Sequence, residues 1–423
     1  MRSGSRQNRP SAPARHALLG RFCFLRRHRR AKACGLRYEG DLRGLSQPAQ
    51  ASFGDQAAGF TPVPGWLCLT LLLVLLAGCA AARSSATPTP ALGPLPTRPA
   101  KPTARPAGPA PTVAAQGSAL PGRLVFVQGG DLWLWQGAAG RQLTSDGDAF
   151  QPAWSPDGQR IAYIQRVTSF SDLLIMPVGD ASSSSGATSA SLRLTQDGPD
   201  SSVYSYERIY ASTWAFYPAW SPDGALIAFA SQAGPPSGSP AAEFRISLFT
   251  TPAEPSGKPI QLYADDSGHV GRLAYAPNGQ SIAFAFGPAG NDAPMIYRYT
   301  IASGSAAPFP GAPAQSYDPA WAPDGRWLAF AARANGRTDV FAIRSGGTGP
   351  ALQLTSLGAA RAPAFSPDGK QLAFLAIAPG SNSFDLWVLD LEASADGTLK
   401  PGQPRQITQG MALDADSGVT WGR

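Results

Sequence analysis

PAWSPDGQRIAYI, Pro152 to Ile164, returns along the chain as PAWSPDGALIAFA (Pro218 to Ala230), LAYAPNGQSIAFA (Leu273 to Ala285), PAWAPDGRWLAFA (Pro319 to Ala331) and PAFSPDGKQLAFL (Pro363 to Leu375). A sixth, shortened copy, VTWGR, occupies Val419 to Arg423. Each full copy reads as a hairpin built from local rules. A short strand carries an aromatic residue, at Trp154, Trp220, Tyr275, Trp321 or Phe365. A Pro-Asp-Gly or Pro-Asn-Gly turn follows, in which Pro presets φ, the Asx side chain bonds the local backbone and Gly supplies a positive φ. The chain then returns in a strand such as Ile161-Ala162-Tyr163.

Two more strand-like runs stand behind each hairpin. The third strands are DLWLW (Asp131 to Trp135), DLLIMPV (Asp172 to Val178), FRISLF (Phe244 to Phe249), MIYRYTI (Met295 to Ile301), DVFAI (Asp339 to Ile343) and DLWVLDL (Asp385 to Leu391). The fourth are RQLT (Arg141 to Thr144), LRLT (Leu192 to Thr195), IQLY (Ile260 to Tyr263), a weak APF (Ala307 to Phe309), LQLT (Leu352 to Thr355) and RQIT (Arg405 to Thr408). Equivalent aromatics are spaced by 66, 55, 46, 44 and 56 residues, which fits four-stranded propeller blades and is too long for leucine-rich or helical-pair repeats. The run Arg123 to Val127 matches the second strand of a blade and has no first strand before it, while VTWGR is a first strand with nothing after it. Pairing the two predicts an all-β, six-bladed propeller closed by the C-terminal strand, without a free edge.

Composition agrees. With 46 Gly and 41 Pro among 423 residues, one residue in five is a turn former, which excludes a helical bundle. The net charge of +7 divides into +13 over residues 1 to 118 and −6 over residues 119 to 423, so the propeller is no polyanion binder. All four cysteines, Cys23, Cys34, Cys68 and Cys79, precede it, and no disulfide staples it.

The repeat PAWSPDG followed by IAF resembles that of the TolB-type propellers, found also in the propellers of prolyl-oligopeptidase-like enzymes, and the resemblance covers about residues 120 to 423. It implies a secreted or periplasmic protein that binds partners at the mouth of its central channel. WLCLTLLLVLLAG, Trp66 to Gly78, has the length of a signal-peptide core, and Leu76-Ala77-Gly78-Cys79 resembles the lipobox of bacterial lipoproteins. That implies diacylglycerol on Cys79, cleavage before it, and an anchor on the extracytoplasmic side of a bacterial membrane. The expected organisation is therefore a basic leader at 1–62, read as an extension of the true start, and a signal peptide at 63–78. A lipidated Cys79 with a Pro/Ala/Thr-rich tether follows at 79–118, and the propeller at 119–423. The tether prefers polyproline II and carries the domain off the membrane.

No Gly-x-Ser-x-Gly elbow, phosphate loop or histidine cluster occurs, and His269 is the one histidine after the tether. Neither Asp265-Asp266 nor Asp414-Ala415-Asp416 completes a calcium loop. The expectation is a binding module without catalytic residues, cofactor or metal, monomeric, with a protein, peptide or glycan ligand in the cell envelope and no nucleic acid. The alternative is an envelope carbohydrate hydrolase or lyase with carboxylates at the channel mouth. Because the hairpin residues repeat, function belongs where blades differ. The longest fourth-to-first connection, residues 197 to 217, is rich in aromatics, and Tyr210, Trp214, Tyr217 and Arg208 are its candidate contacts. Arg272 and Asp318, before the hairpins at the expected channel rim, are the candidate polar selectors.

Overall fold

In the computed structural model, the described residues are 120–423 apart from 138, 168–169, 180–190, 198–212, 233–244, 256, 289–292, 348 and 395–396. The expected leader, signal peptide and tether, with Cys79, lie outside them. Regular structure among the described residues is entirely β.

The first blade holds β1 (Leu120–Gln128), β2 (Asp131–Gly137) and β3 (Ala139–Gln142). The second holds β4 (Ala149–Trp154), β5 (Arg160–Arg166), β6 (Ser171–Pro177) and β7 (Leu192–Arg193). The third is β8 (Ala215–Trp220), β9 (Leu226–Gln232), β10 (Ile246–Pro252) and β11 (Ile260–Tyr263). The fourth is β12 (Gly268–Tyr275), β13 (Ser281–Pro288), β14 (Met295–Thr300) and β15 (Ser305–Pro308). The fifth is β16 (Ser316–Trp321), β17 (Trp327–Ala334), β18 (Arg337–Arg344) and β19 (Leu352–Gln353). The sixth is β20 (Ala360–Phe365), β21 (Gln371–Ile377), β22 (Phe384–Ala393), β23 (Leu399–Pro401) and β24 (Arg405–Gln406), and β25 (Val419–Gly422) follows.

Every sheet is antiparallel, and β25 pairs with β1, putting Trp421 opposite Leu124 and Val419 opposite Phe126. The ring therefore closes through VTWGR, as its match to a first strand predicts. Trp421 donates its indole N–H to the Pro121 carbonyl at 2.7 Å. Arg123 donates Nε–H to the Arg423 carbonyl at 2.8 Å and lays its guanidinium over Trp154, 4.7 Å from the ring centroid.

The core forms six layers between neighbouring sheets. Ile161 and Tyr163 pack toward the first blade, whereas Ala162 and Ile164 of the same strand pack toward the third. Burial on both faces explains why these strands read as continuous apolar runs instead of alternating. The alanine of each IAF-type triplet, at Ala162, Ala228, Ala283, Ala329 and Ala373, is fully buried.

The turns use their side chains as the sequence demands. In Ser155-Pro156-Asp157-Gly158 the serine hydroxyl donates to Asp157 and accepts the Arg160 N–H at 2.9 Å. That bond, with the Gln159 N–H, lowers the Asp157 carboxyl below its ordinary value. The same arrangement recurs at Ser221 and Asp223 and at Ser366 and Asp368.

A second repeated device joins the third and fourth strands. Thr355 Oγ1 donates to Asp339 Oδ1 at 2.8 Å and accepts the Val340 N–H at 2.9 Å, and the same carboxylate accepts the Leu357 N–H at 2.8 Å. Asp131 with Thr144, Asp172 with Thr195 and Asp385 with Thr408 repeat it. The Asp that opens DLW and the Thr that ends QLT thus form a clamp fixing the connection into the next blade. Thr355→Val is expected to cost about 1 to 3 kcal/mol, the penalty for buried groups left short of partners. A melting temperature equal to the parent's would show that the clamp does not stabilise the blade.

Several fourth strands shift: RQLT is found two residues earlier, at Ala139–Gln142, and LRLT and LQLT pair only through Leu192–Arg193 and Leu352–Gln353. The weak APF strand begins two residues earlier and ends one earlier, at Ser305–Pro308, because Phe309 turns into the core between the fourth and fifth blades. In the sixth blade RQIT pairs with β22 through Arg405 and Gln406, but the far half of the long β22 pairs with a further strand, Leu399–Pro401.

Candidate functional site

The inner strands β4, β8, β12, β16, β20 and β25 surround the axis and line a channel of about 310 Å3. All but β25 carry a register shift just ahead of the hairpin motif. At that irregularity Gln151, Tyr217, Asp318 and Ala362 take φ of 52 to 56°, and Gly418, at the equivalent place ahead of β25, takes 75°. For residues with a Cβ this conformation costs of order 1 to 3 kcal/mol and needs compensation from its surroundings. Side chains from neighbouring blades supply it: Gln151 Oε1 accepts the Tyr217 N–H at 2.8 Å, and Asp318 Oδ2 accepts the Ala362 N–H at 3.2 Å.

The fourth-to-first and second-to-third connections share one face, the loop face, and there the channel mouth is bridged by charge. Asp318, with a side chain only 4% exposed, accepts from Arg272 Nε–H and from Arg361 Nε–H, each at 2.9 Å. Arg361 reaches Asp416 at 2.7 Å through Nη1, and Arg272 donates to the Ser417 carbonyl at 3.1 Å and to the Asp416 carbonyl. Residues of the fourth, fifth and sixth blades are thereby tied to the segment that leads into β25. Gly418 is required at this crossing: beyond its positive φ, an added Cβ would lie 2.4 Å from Arg272 Nη1.

Burial alone raises the Asp318 carboxyl, but the two guanidiniums outweigh it and hold the group below its ordinary value. Arg361 is shifted the other way, its charged form held by Asp318 against the cost of burial. Asp318 is thus fixed as a carboxylate, an arrangement unsuited to proton donation. Burial pushes the Tyr217 hydroxyl up, and its ring lies under the Arg272 guanidinium at 5.3 Å. Tyr317 lies likewise under Arg361 at 5.1 Å.

Beside this cluster a cavity of about 380 Å3 opens on the loop face, walled by Phe216, Tyr317, Ile246, His269 and Pro294 and floored by Tyr217, Arg272, Asp318 and Arg361. It falls where the Asp and Thr clamp is missing. The clamp positions hold Ser247 and Tyr263 in the third blade and Met295 and Pro310 in the fourth. Trp214 stacks on Phe216 with ring centroids 6.1 Å apart and planes within 2°. The base of the long connection is fixed by Thr213, which donates Oγ1–H to Asp197 Oδ1 at 2.6 Å, and by Ser171, which donates to the Ala215 carbonyl at 2.7 Å. His269 is exposed and accepts the Ile246 N–H on Nδ1 at 3.2 Å. Among the described residues no group of three or more His, Cys, Asp or Glu side chains is placed to hold a metal.

Among solved structures, TolB from Acinetobacter baumannii superposes with a TM-score of 0.50 at 19% identity, over 71% of this chain and 66% of that one. The fold is that of the TolB propeller. The match spans just under two thirds of the Acinetobacter protein's own length. TolB from Agrobacterium tumefaciens matches with a TM-score of 0.44 at 17% identity, over 73% of this chain and all of that one. No protein-family model and no curated protein sequence matches the chain.

Of the residues singled out from sequence, the structure gathers Tyr217, Arg272 and Asp318 into one cluster and sets Trp214 behind Phe216 at its edge. Arg208 and Tyr210 lie outside the described residues. Sequence reasoning missed Arg361, Tyr317, Ile246 and Pro294. A signal for the place was present: the third strands of the third and fourth blades, FRISLF and MIYRYTI, lack the opening Asp of DLW, and IQLY and APF lack the closing Thr.

Proposed function

We propose that the protein is an extracytoplasmic, lipid-anchored propeller that binds a protein or peptide partner through its loop face. The observation that carries this reading is the coincidence of three features at one place. The cavity is lined by aromatic and arginine side chains, the residue types enriched at interface hot spots, and it lies where the repeat loses its clamp. The longest blade connection ends at its edge, and loops on a rigid scaffold are where recognition residues concentrate. Trp214 and Phe216 serve as the apolar anchors, with Tyr210 and Arg208 of the same connection, and Tyr217, Arg272 and Asp318 shape the floor. β1 begins at Leu120, opposite Gly137 at the hairpin-face end of the first blade, so the loop face is clear of the point where the chain enters the propeller.

A photo-crosslinking amino acid at position 216 is expected to capture a discrete partner in intact cells, and one at position 157, in a turn on the opposite face, is not. Adducts formed only from position 157 would refute the site. With the captured partner in hand, Trp214→Ala should weaken binding by at least about 1 to 2 kcal/mol.

The anchor is tested separately. Cys79→Ser is expected to abolish incorporation of labelled fatty acid and release the protein from the membrane fraction. A wild-type chain that takes up no lipid, with a variant that stays in the membrane, would overturn the lipoprotein reading.

A further inference from the structure

A cavity of about 790 Å3, twice the volume of that on the loop face, opens on the hairpin face between the fifth and sixth blades. Two departures from the repeat build it. Trp327 stands second after the turn glycine in the fifth blade, where the other full hairpins carry Arg160, Leu226, Ser281 and Gln371. In the sixth blade, β22 runs on to Ala393 and pairs there with β23, and among the described residues no other sheet has a fifth strand. This added hairpin forms one wall through Leu391, Glu392 and Leu399, and Trp327 lies on the other. The Arg344 guanidinium packs on the Trp327 ring at 5.1 Å and lies near the Gly397 turn, so the indole is fixed against the added hairpin.

The lining carries three carboxylates, on Asp324, Asp368 and Glu392, interleaved with the cations of Arg326 and Lys370. Among the described lining residues both signs are present and alternate around the groove. An anion or a cation entering the groove meets repulsion as well as attraction, so net charge selects neither. A neutral polyhydroxylated ligand has no such conflict, because each hydroxyl donates to carboxylates and accepts from ammonium or guanidinium groups. The C–H faces of a sugar ring match the flat apolar indole, and the volume is in the range of sites that bury small ligands.

We propose that this groove binds a neutral oligosaccharide, independently of the loop face. The groove lies on the face where the chain enters the propeller, so the two faces would engage different partners.

The full-length protein, extracted in mild detergent, is to be titrated with maltotriose, cellotriose, xylotriose and tri-N-acetylchitotriose while tryptophan fluorescence and heat are followed. A glycan array carrying neutral and acidic sugars extends the survey. Saturable binding of at least one neutral sugar is expected. Trp327→Ala should weaken it at least about tenfold and Glu392→Gln several-fold, since a tryptophan anchor outweighs a rim group. Glu392 is exposed, so its variant should keep the parent melting temperature and rule out misfolding as the cause. Phe216→Ala, on the loop face, should leave sugar affinity unchanged. The proposal is overturned by any of three results. These are no neutral sugar bound up to about 10 mM, affinity unchanged in both groove variants, or preferential binding of acidic sugars or of a peptide spanning residues 86 to 112.

Discussion

A chain ending at Asp416 is expected to lose the cooperative melt of the full-length protein and to associate. The truncation removes β25, and with it the partner of β1 from Arg123 to Phe126. Trp421 and Val419, each 8% exposed, leave the layer between the first and sixth blades. Loss of a buried tryptophan alone costs about 3 to 5 kcal/mol. The ladder bonds add about 1 kcal/mol each, and the whole stability of a domain is about 5 to 15 kcal/mol. The edge of β1 on the inner side of the first blade, left unpaired, would then be free to pair between molecules. Circular dichroism melts and size-exclusion chromatography provide the check. A truncated chain that stays monomeric with an unchanged midpoint would show that the first blade is complete without its C-terminal strand.

Asp318→Ala is expected to have the second largest effect. It leaves Arg272 and Arg361, with side chains 17% and 22% exposed, sharing a confined channel mouth without the carboxylate that neutralises them. Breaking a buried ion pair from one side costs about 3 to 5 kcal/mol, more than the pair itself contributes, because desolvated charge remains. The Ala362 N–H, at a strained backbone position, also loses its acceptor. Asp318→Asn keeps one acceptor and should cost less. The pH dependence has a definite sign. The folded carboxyl titrates below the ordinary value of about 3.9, so its stabilisation is full above that value and is lost as the pH falls through the folded one. The parent's melting midpoint should therefore fall more steeply below about pH 4 than that of Asp318→Asn. Parallel profiles would show that the two arginines do not depend on this carboxylate.

Both predictions concern parts of the molecule that were unequally legible. The hairpins could be read because everything they need lies within a dozen residues. In Ser155 to Arg160 the proline, carboxylate, glycine and hydroxyl act on one another's backbone, so adjacency in sequence is adjacency in space. Closure was legible for a related reason: a second strand without a first, at Arg123 to Val127, and a first without a second, at Val419 to Arg423, admit one pairing once six repeats are counted.

The channel mouth obeys no such rule. Arg272 and Asp416 are 144 positions apart and meet only because six sheets around an axis bring the starts of all inner strands together. Tyr217 and Asp318 were accessible as rim positions because they precede the repeated proline. Arg361, one residue earlier, was not, since its aim depends on the bulge and the left-handed backbone at Ala362. The added strand Leu399–Pro401 escaped likewise: it pairs with the overhang of β22, a contact no repeat period encodes. The repeated residues by themselves determined the blades, their number and their closure, because turn chemistry and strand burial are local and recur. Which unrepeated side chains share a cavity was decided by the ring alone, which sets residues distant in the chain side by side.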